Sequence, residues 1–229
     1  MKHIVLTTAL LLAPAPVLAQ SQSETDKGYL TTLIEDSLSG DARDVNIVGF
    51  QGALSSAASI ESMTIADADG IWLTLEGVVL DWNRAALLRG TIDVNELSAK
   101  RIIVARPPVS QARAPSPEAT PFGLPDLPVG IALDALNIED IILGEVFLGE
   151  ELRISLRGNA ALSGGEGLAK IVATRLGDKA GVFEIDGSFT NADRILALTL
   201  GVEEGPDGIA ARLLDLPGRP STKLLIAGT

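Results

Sequence analysis

The sequence predicts a mainly β protein, in which an elongated, curled antiparallel β-sheet forms a groove-like surface, with one N-terminal amphipathic helix and short helical turns. Two observations support this fold class. From Val45 onward apolar and polar residues alternate with a period of two, which is typical of strands with one buried face. Clusters of Gly, Asn, Asp and Pro separate these runs at short intervals, as hairpin connections require.

The first residues have the three-part plan of an export signal. Lys2 gives a basic start, Ile4 to Ala13 are apolar, and small residues precede a cleavage point after Ala19. An apolar run of about ten residues is too short for a bilayer core, which takes roughly twenty. We therefore interpret residues 1–19 as a cleaved signal peptide, with an uncleaved signal anchor as the alternative. Either one predicts a periplasmic protein, in the second case anchored to the inner membrane.

Composition excludes several classes of site. The sequence has no cysteine, and its single histidine, His3, is removed with the signal. This excludes the usual zinc ligand sets, disulfides, and Ser-His-Asp or Cys-His catalysis, so we predict a non-enzymatic protein without a cofactor or metal. The net charge of −12 becomes −13 when Lys2 is removed, which disfavours binding to nucleic acid. Aromatic residues are only 3% of the chain, too few for the girdles of an outer-membrane barrel.

Residues 24–40 predict an amphipathic helix that ends at Gly40. Docking against a sheet edge is favoured over binding to a membrane surface, because the polar side of this helix carries acids rather than lysines. The apolar positions that define its stripe are Tyr29, Leu30, Leu33, Ile34 and Leu38.

Two β segments follow, residues 44–106 and 129–229, and a Pro-rich linker joins them at 107–128. The linker composition favours extended polyproline geometry over a ladder or a core. The two segments can still share one continuous sheet. Helical patterning returns briefly at residues 85–88 and 209–214. Because the second segment ends in or just after an apolar strand, leaving an open edge, we expect the chain to be a piece of a longer protein.

The segment from Ile71 to Trp82 differs because apolar residues appear on both sides of its alternation. We expect Ile71, Leu73, Leu75 and Val79 on one face and Trp72, Val78, Leu80 and Trp82 on the other. Such a strand is covered on both faces, and the N-terminal helix and the turn at residues 85–88 are the nearest candidates to cover the second face.

The strands of the second segment each present one apolar row that something must cover. A second sheet or helices would do this in an ordinary β-sandwich. Helices are few and short in this sequence, so acyl chains, which need no directed hydrogen bonds, are a further candidate. The predicted lipid-facing positions are Leu152, Ile154, Leu156, Phe183, Ile185, Phe189, Leu196, Leu198 and Leu200.

Two carboxylate pairs, Asp67 with Asp69 and Glu150 with Glu151, could in principle serve a hydrolase. They occur in polar, turn-like sequence where solvent would keep their pKa values similar, so we interpret them as solvated turns. The glycines at 164, 165 and 167 lack the Lys and Ser/Thr of a phosphate loop and predict a hairpin turn.

Several motifs of the first segment resemble the N-terminal region of the TamB family, the inner-membrane subunits of the translocation and assembly module. The most specific is the tryptophan segment, supported by the first strand at residues 45–52 and by Arg106-Pro107-Pro108. The motifs are Asp69-Gly70-Ile71-Trp72-Leu73, Leu80-Asp81-Trp82, Leu87-Leu88-Arg89-Gly90 and Ile92-Asp93-Val94. Gly70, Trp72, Trp82 and Gly90 are interpreted as scaffold residues.

The resemblance implies a long periplasmic protein, anchored in the inner membrane, whose strands curl into a lipid-lined groove. It also implies a TamA-like outer-membrane barrel as a partner, and roles in outer-membrane protein assembly and in phospholipid transport between the membranes. Family members are far longer than this chain, and the signal looks cleavable. A periplasmic structural or protein-binding β-sandwich without lipid transport is the alternative.

Overall fold

The computed structural model describes residues 35, 39, 43–52, 56–109, 123–125 and 127–229. The predicted signal at residues 1–19 lies outside the described residues. So does the predicted helix at 24–40, apart from Glu35 and Ser39, and most of the linker at 107–128.

The described residues form one large sheet of eleven strands, which confirms the prediction of a mainly β, curled and mostly antiparallel fold. The strands are β1 (Asp44–Val48), β2 (Ala57–Asp67), β3 (Gly70–Asn83), β4 (Thr91–Ala99), β5 (Arg101–Val104), β6 (Gly130–Leu143), β7 (Leu152–Ser163), β8 (Glu166–Arg175), β9 (Gly181–Thr190), β10 (Ile195–Glu204) and β11 (Thr222–Gly228).

The two predicted β segments are parts of the same sheet. The strand order is β1-β2-β3-β4-β6-β7-β8-β9-β10-β11, and β5 pairs with β3 and β6. The pairing of β4 and β5 with β6 is parallel, so the sheet is not a purely antiparallel meander. Parallel neighbours need a crossover connection, and the linker at residues 107–128 is the chain that makes it.

From β6 to β11 the strands follow one another as antiparallel neighbours. The turn between β7 and β8 contains Gly164 and Gly165, whose φ angles are 57° and 75°. Two successive residues with positive φ are what a tight hairpin of this kind needs, which explains the glycines. The prediction of a hairpin turn at this position is therefore correct.

The register sorts the side chains into an apolar face and a polar face, because directly opposed residues point to the same side of a sheet. One row of opposed residues on the apolar face crosses the sheet from β2 to β11. It consists of Ala58, Leu80, Leu97, Leu136, Gly158, Ile171, Ile185, Leu200 and Ile226. The polar face carries charged pairs such as Lys170 with Asp186, whose Nζ and Oδ2 atoms lie 3.0 Å apart.

The prediction that β3 is apolar on both faces is largely wrong. Leu75 opposes Ile102 and Leu80 opposes Leu97, and both partners lie on the apolar face through their pairing with β6. Leu75 and Leu80 are five positions apart, so a regular strand would place them on opposite faces. They share a face because the alternation shifts by one residue between them. The shift coincides with Gly77, where φ is +60°. It gathers Leu73, Leu75, Val78, Leu80 and Trp82 on one side.

The helices are short and lie at strand ends. A 3-10 helix spans Arg84–Arg89, close to the predicted turn at 85–88; the Asn83 side chain caps its start and Gly90 ends it. Helix α2 spans Ile209–Leu213, close to the predicted 209–214. Helix α1, Glu145–Leu148, was not predicted, because four residues do not show a helical period.

Candidate apolar binding face

The apolar face is continuous across the sheet, and no second layer lies over it among the described residues, whose strands all belong to one sheet. The described chain has no large side chain that is fully buried. Another row of opposed residues is apolar throughout: Val45, Ile65, Leu73, Val104, Leu143 and Leu152. In this part of the chain the apolar face is thus not covered by a second sheet, as it would be in a β-sandwich.

All nine predicted lipid-facing residues lie on the apolar face. Leu152, Ile154 and Leu156 share one side of β7, and the register connects them through β8 to Phe183, Ile185 and Phe189 of β9. The β10 residues Leu196, Leu198 and Leu200 oppose β9 on the same side. Leu152 is buried, whereas Ile185 and Leu196 are 41% and 47% exposed.

Apolar side chains that stay exposed on this face, such as Ile185 and Leu196, are unfavourable in water, at about 25 cal/mol per Å² of apolar area. Monomeric soluble proteins rarely keep contiguous apolar patches larger than a few hundred Å² uncovered, and larger ones mark binding surfaces. The apolar face offers aliphatic contact along its rows with few hydrogen-bonding groups, which suits a flexible hydrocarbon chain.

The four scaffold residues of the tryptophan motifs occupy different places. Trp82 opposes Val94 and lies on the apolar face. Trp72 lies at an irregularity in the β2–β3 register, between Ile71, which opposes Ala66, and Leu73, which opposes Ile65. The Trp72 carbonyl accepts a hydrogen bond from the Ala105 N–H at 3.0 Å. Gly70 starts β3, and Gly90 ends the 3-10 helix.

Asp67 is not a solvated turn residue. Its Oδ1 and Oδ2 atoms accept hydrogen bonds from Arg106 at 2.5 and 2.9 Å, and the Val109 N–H donates at 2.7 Å. Arg106 also donates to the Gly70 carbonyl at 2.7 Å. These bonds to Arg106, and then to the Val109 N–H, hold the pKa of Asp67 well below its usual range. The cluster therefore attaches the start of the linker to the β2–β3 turn.

A second ionic cluster joins three connections at one end of the strands. Glu150, after α1, accepts hydrogen bonds from Lys179 at 3.0 Å, from Arg175 at 2.7 Å and from Arg212 of α2. These bonds, led by the one from Lys179, lower the pKa of Glu150 to about 2. The interpretation of Glu150 as solvated is therefore wrong, although the neighbouring Glu151 is exposed.

The same cluster gives the apolar face a polar boundary. Arg175 opposes Ile154 at the end of β8, and its side chain is only 6% exposed. Glu204, which is buried at the end of β10, accepts hydrogen bonds from the backbone N–H groups of Ile209 and Ala210 at 2.9 and 2.6 Å. Glu204 thus satisfies free amides at the start of α2, which holds this helix against the end of the sheet.

Sequence analysis missed a buried carboxylate on the polar face. Asp140 lies in the irregular part of β6 and accepts hydrogen bonds from Arg153 at 2.7 and 3.1 Å and from Arg101 at 3.3 Å. Arg153 foremost, together with Arg101, lowers the pKa of Asp140. No local signal marks it, because its partners come from two other strands.

Within the described part of the chain, no group of three or more His, Cys, Asp or Glu side chains is arranged to hold a metal ion. No helix in these residues is long and apolar enough to cross a membrane.

Comparison with known protein families, curated proteins and solved structures found no match to this chain. The resemblance to the TamB family therefore stays a hypothesis that rests on the motifs of the tryptophan segment.

Proposed function

We propose that this chain is a non-enzymatic, inner-membrane-associated periplasmic protein of envelope biogenesis, whose apolar face holds phospholipid acyl chains during transport between the membranes. The observation that carries the proposal is the continuous apolar face, which no second layer covers among the described residues.

The ionic chemistry supports a binding role rather than an acid–base role. A general acid at neutral pH needs a carboxyl group whose pKa is raised toward 7. Ion pairs lower the pKa of Asp67, Asp140 and Glu150 instead. These carboxylates fasten connections and strands to one another, so their chemistry serves the shape of the sheet.

Location and partner rest on the sequence. The export signal at residues 1–19 supports the periplasm, and its alternative, an uncleaved anchor, supports attachment to the inner membrane. The TamB-like motifs support a TamA-like outer-membrane barrel as the partner and a second role in outer-membrane protein assembly. The acidic charge of −12 argues against nucleic acid as a ligand.

Site-specific photocrosslinking tests the proposal. A benzophenone amino acid replaces Ile154 or, in a second variant, Leu156 on the apolar face, and the matched control replaces Ser155 on the polar face of β7. The full chain is irradiated with vesicles of phosphatidylethanolamine and phosphatidylglycerol, and adducts are identified by mass spectrometry. We expect phospholipid adducts at Ile154 and a much lower yield at Ser155.

Equal lipid yield at Ile154 and Ser155, or no lipid adduct at Ile154 and Leu156, would contradict the proposal. The same two variants can also be irradiated in cells. Adducts there to protein alone, at both Ile154 and Leu156, would favour the alternative of a periplasmic protein-binding β protein without lipid transport.

A further inference from the structure

Leu124, near the end of the Pro-rich linker, lies on the apolar face of the sheet. A Cβ atom built on Gly167 would be 2.7 Å from Cδ1 of Leu124. Gly167 opposes Leu162 of β7 and Phe189 of β9, so its missing side chain would point to the apolar face. The Leu124 side chain therefore fills a gap in this row that a residue larger than glycine would close.

The Asn191 side chain holds the backbone at this position. The Leu124 N–H donates to Asn191 Oδ1 at 2.8 Å, and Asn191 Nδ2 donates to the Leu124 carbonyl at 2.9 Å. One amide side chain thus pairs with both backbone groups of one residue, as a neighbouring strand would. A Cβ atom on Gly165 would be 2.9 Å from Asn191 Nδ2, so glycine at 165 makes room for this contact.

We propose that residues 123–125 form a removable strap, in which Leu124 occupies a position on the apolar face that an acyl chain takes when the strap is released. This inference rests on the proposed function, because it assigns a competitor for the same lipid-binding face. The strap is held by the half-buried Leu124 side chain and by two hydrogen bonds between the Leu124 backbone and the Asn191 side chain, and it is not itself a strand of the sheet. Such a contact is weak enough to exchange with a ligand of the same apolar character.

The test measures lipid adducts at two positions of the apolar face in the full chain. A photocrosslinking residue at Ala169 on β8 lies two positions from Gly167, next to the strap, and one at Ile60 on β2 lies several strands away. Each is combined with Asn191→Ala or with Leu124→Ala. The control is Asn159→Ala, which removes an exposed amide from the polar face of β7. The vesicles contain phosphatidylethanolamine and phosphatidylglycerol.

Loss of two hydrogen bonds shifts the strap equilibrium by roughly tenfold. We expect Asn191→Ala and Leu124→Ala each to raise the yield of lipid adducts at Ala169 by up to roughly tenfold. We expect Asn159→Ala to leave this yield unchanged. The yield at Ile60 stays the same in every variant, which also shows that the sheet is folded. Combining Asn191→Ala with Leu124→Ala adds little to either change, since each one alone vacates the position on the apolar face that the Leu124 side chain occupies.

The outcomes separate this inference from the proposed function. Lipid adducts at Ile60 and at Ala169 that do not change with Asn191→Ala or Leu124→Ala overturn the strap and leave lipid binding in place. An absence of lipid adducts at both positions in every variant overturns lipid binding, and the strap as its competitor with it.

Discussion

The carboxylate of Glu35 accepts a hydrogen bond of 2.6 Å from the backbone N–H of Ile47 in the edge strand β1. Ser39, which donates its own N–H to the Glu35 carbonyl at 2.7 Å, accepts a second bond from the Val45 N–H at 3.1 Å. Unpaired amides of an edge strand are a template for association with other chains. Two residues of the predicted helix therefore protect the β1 edge.

Replacing Glu35 with Ala is expected to remove the partner of the Ile47 amide and to raise its hydrogen-exchange rate by about tenfold. The Val45 amide keeps its protection, because Ser39 is its acceptor. Ser39→Ala is expected to give the reverse pattern. Residue-resolved hydrogen exchange measures both amides, and equal acceleration of the two in either variant would contradict separate capping.

The Leu152 side chain, 5% exposed, is the most buried of the nine predicted face residues, and it anchors the start of β7. Leu152→Ala is expected to lower the free energy of unfolding by about 2 kcal/mol, the low end for a buried leucine because the face is partly open. Leu168→Ala, at a position 54% exposed on β8, is expected to change it by less than about 0.5 kcal/mol. Urea denaturation measures both, and equal effects would show that Leu152 is not part of a core.

Sequence reasoning succeeded where strands run without irregularities. In β7, β9 and β10 each step along the chain changes the face, so alternation alone places Leu152, Ile185 and Leu196 on one side. The apolar row of each strand could be predicted locally because it depends only on the period of two.

The remaining features depend on contacts between distant parts of the chain. The Asn191 side chain meets Leu124 across 67 residues, and the pairing of β5 with β6 is parallel only because of the crossover between them. The change of alternation in β3 occurs at Gly77, and the sequence around this glycine does not distinguish it from the others. Local periodicity carries no information on which strands become neighbours, so the strap and the Asp140 cluster could not be predicted.

Gly77 supplies the backbone conformation that places Leu75 and Leu80 on the same face. Its φ is +60°, and an added Cβ would lie 2.8 Å from Cδ of Lys100. Gly77→Ala is expected to cost about 1–2 kcal/mol of stability through left-handed strain, with Lys100 displaced. Gly201→Ala is the control: its Cβ would meet Glu184 at an ordinary 3.5 Å, so we expect no loss. Thermal unfolding compares them, and equal stability of the two variants would contradict a special role for Gly77.

The pKa of Glu150 is about 2 in the folded chain against its usual 4.5, so its ion pairs contribute stability that is complete above about pH 5. That contribution is lost as the pH falls from 4.5 toward 2, because protonation removes the charge that Lys179, Arg175 and Arg212 bind. Glu150→Gln is expected to lower stability at pH 7 by about 1 kcal/mol, discounted for a side chain that is 29% exposed. Urea midpoints from pH 7 to pH 2 should show this difference shrinking, whereas Glu151→Gln, at an exposed neighbour, should show little difference throughout. A Glu150→Gln deficit of constant size would mean that packing, and not charge, joins these three connections.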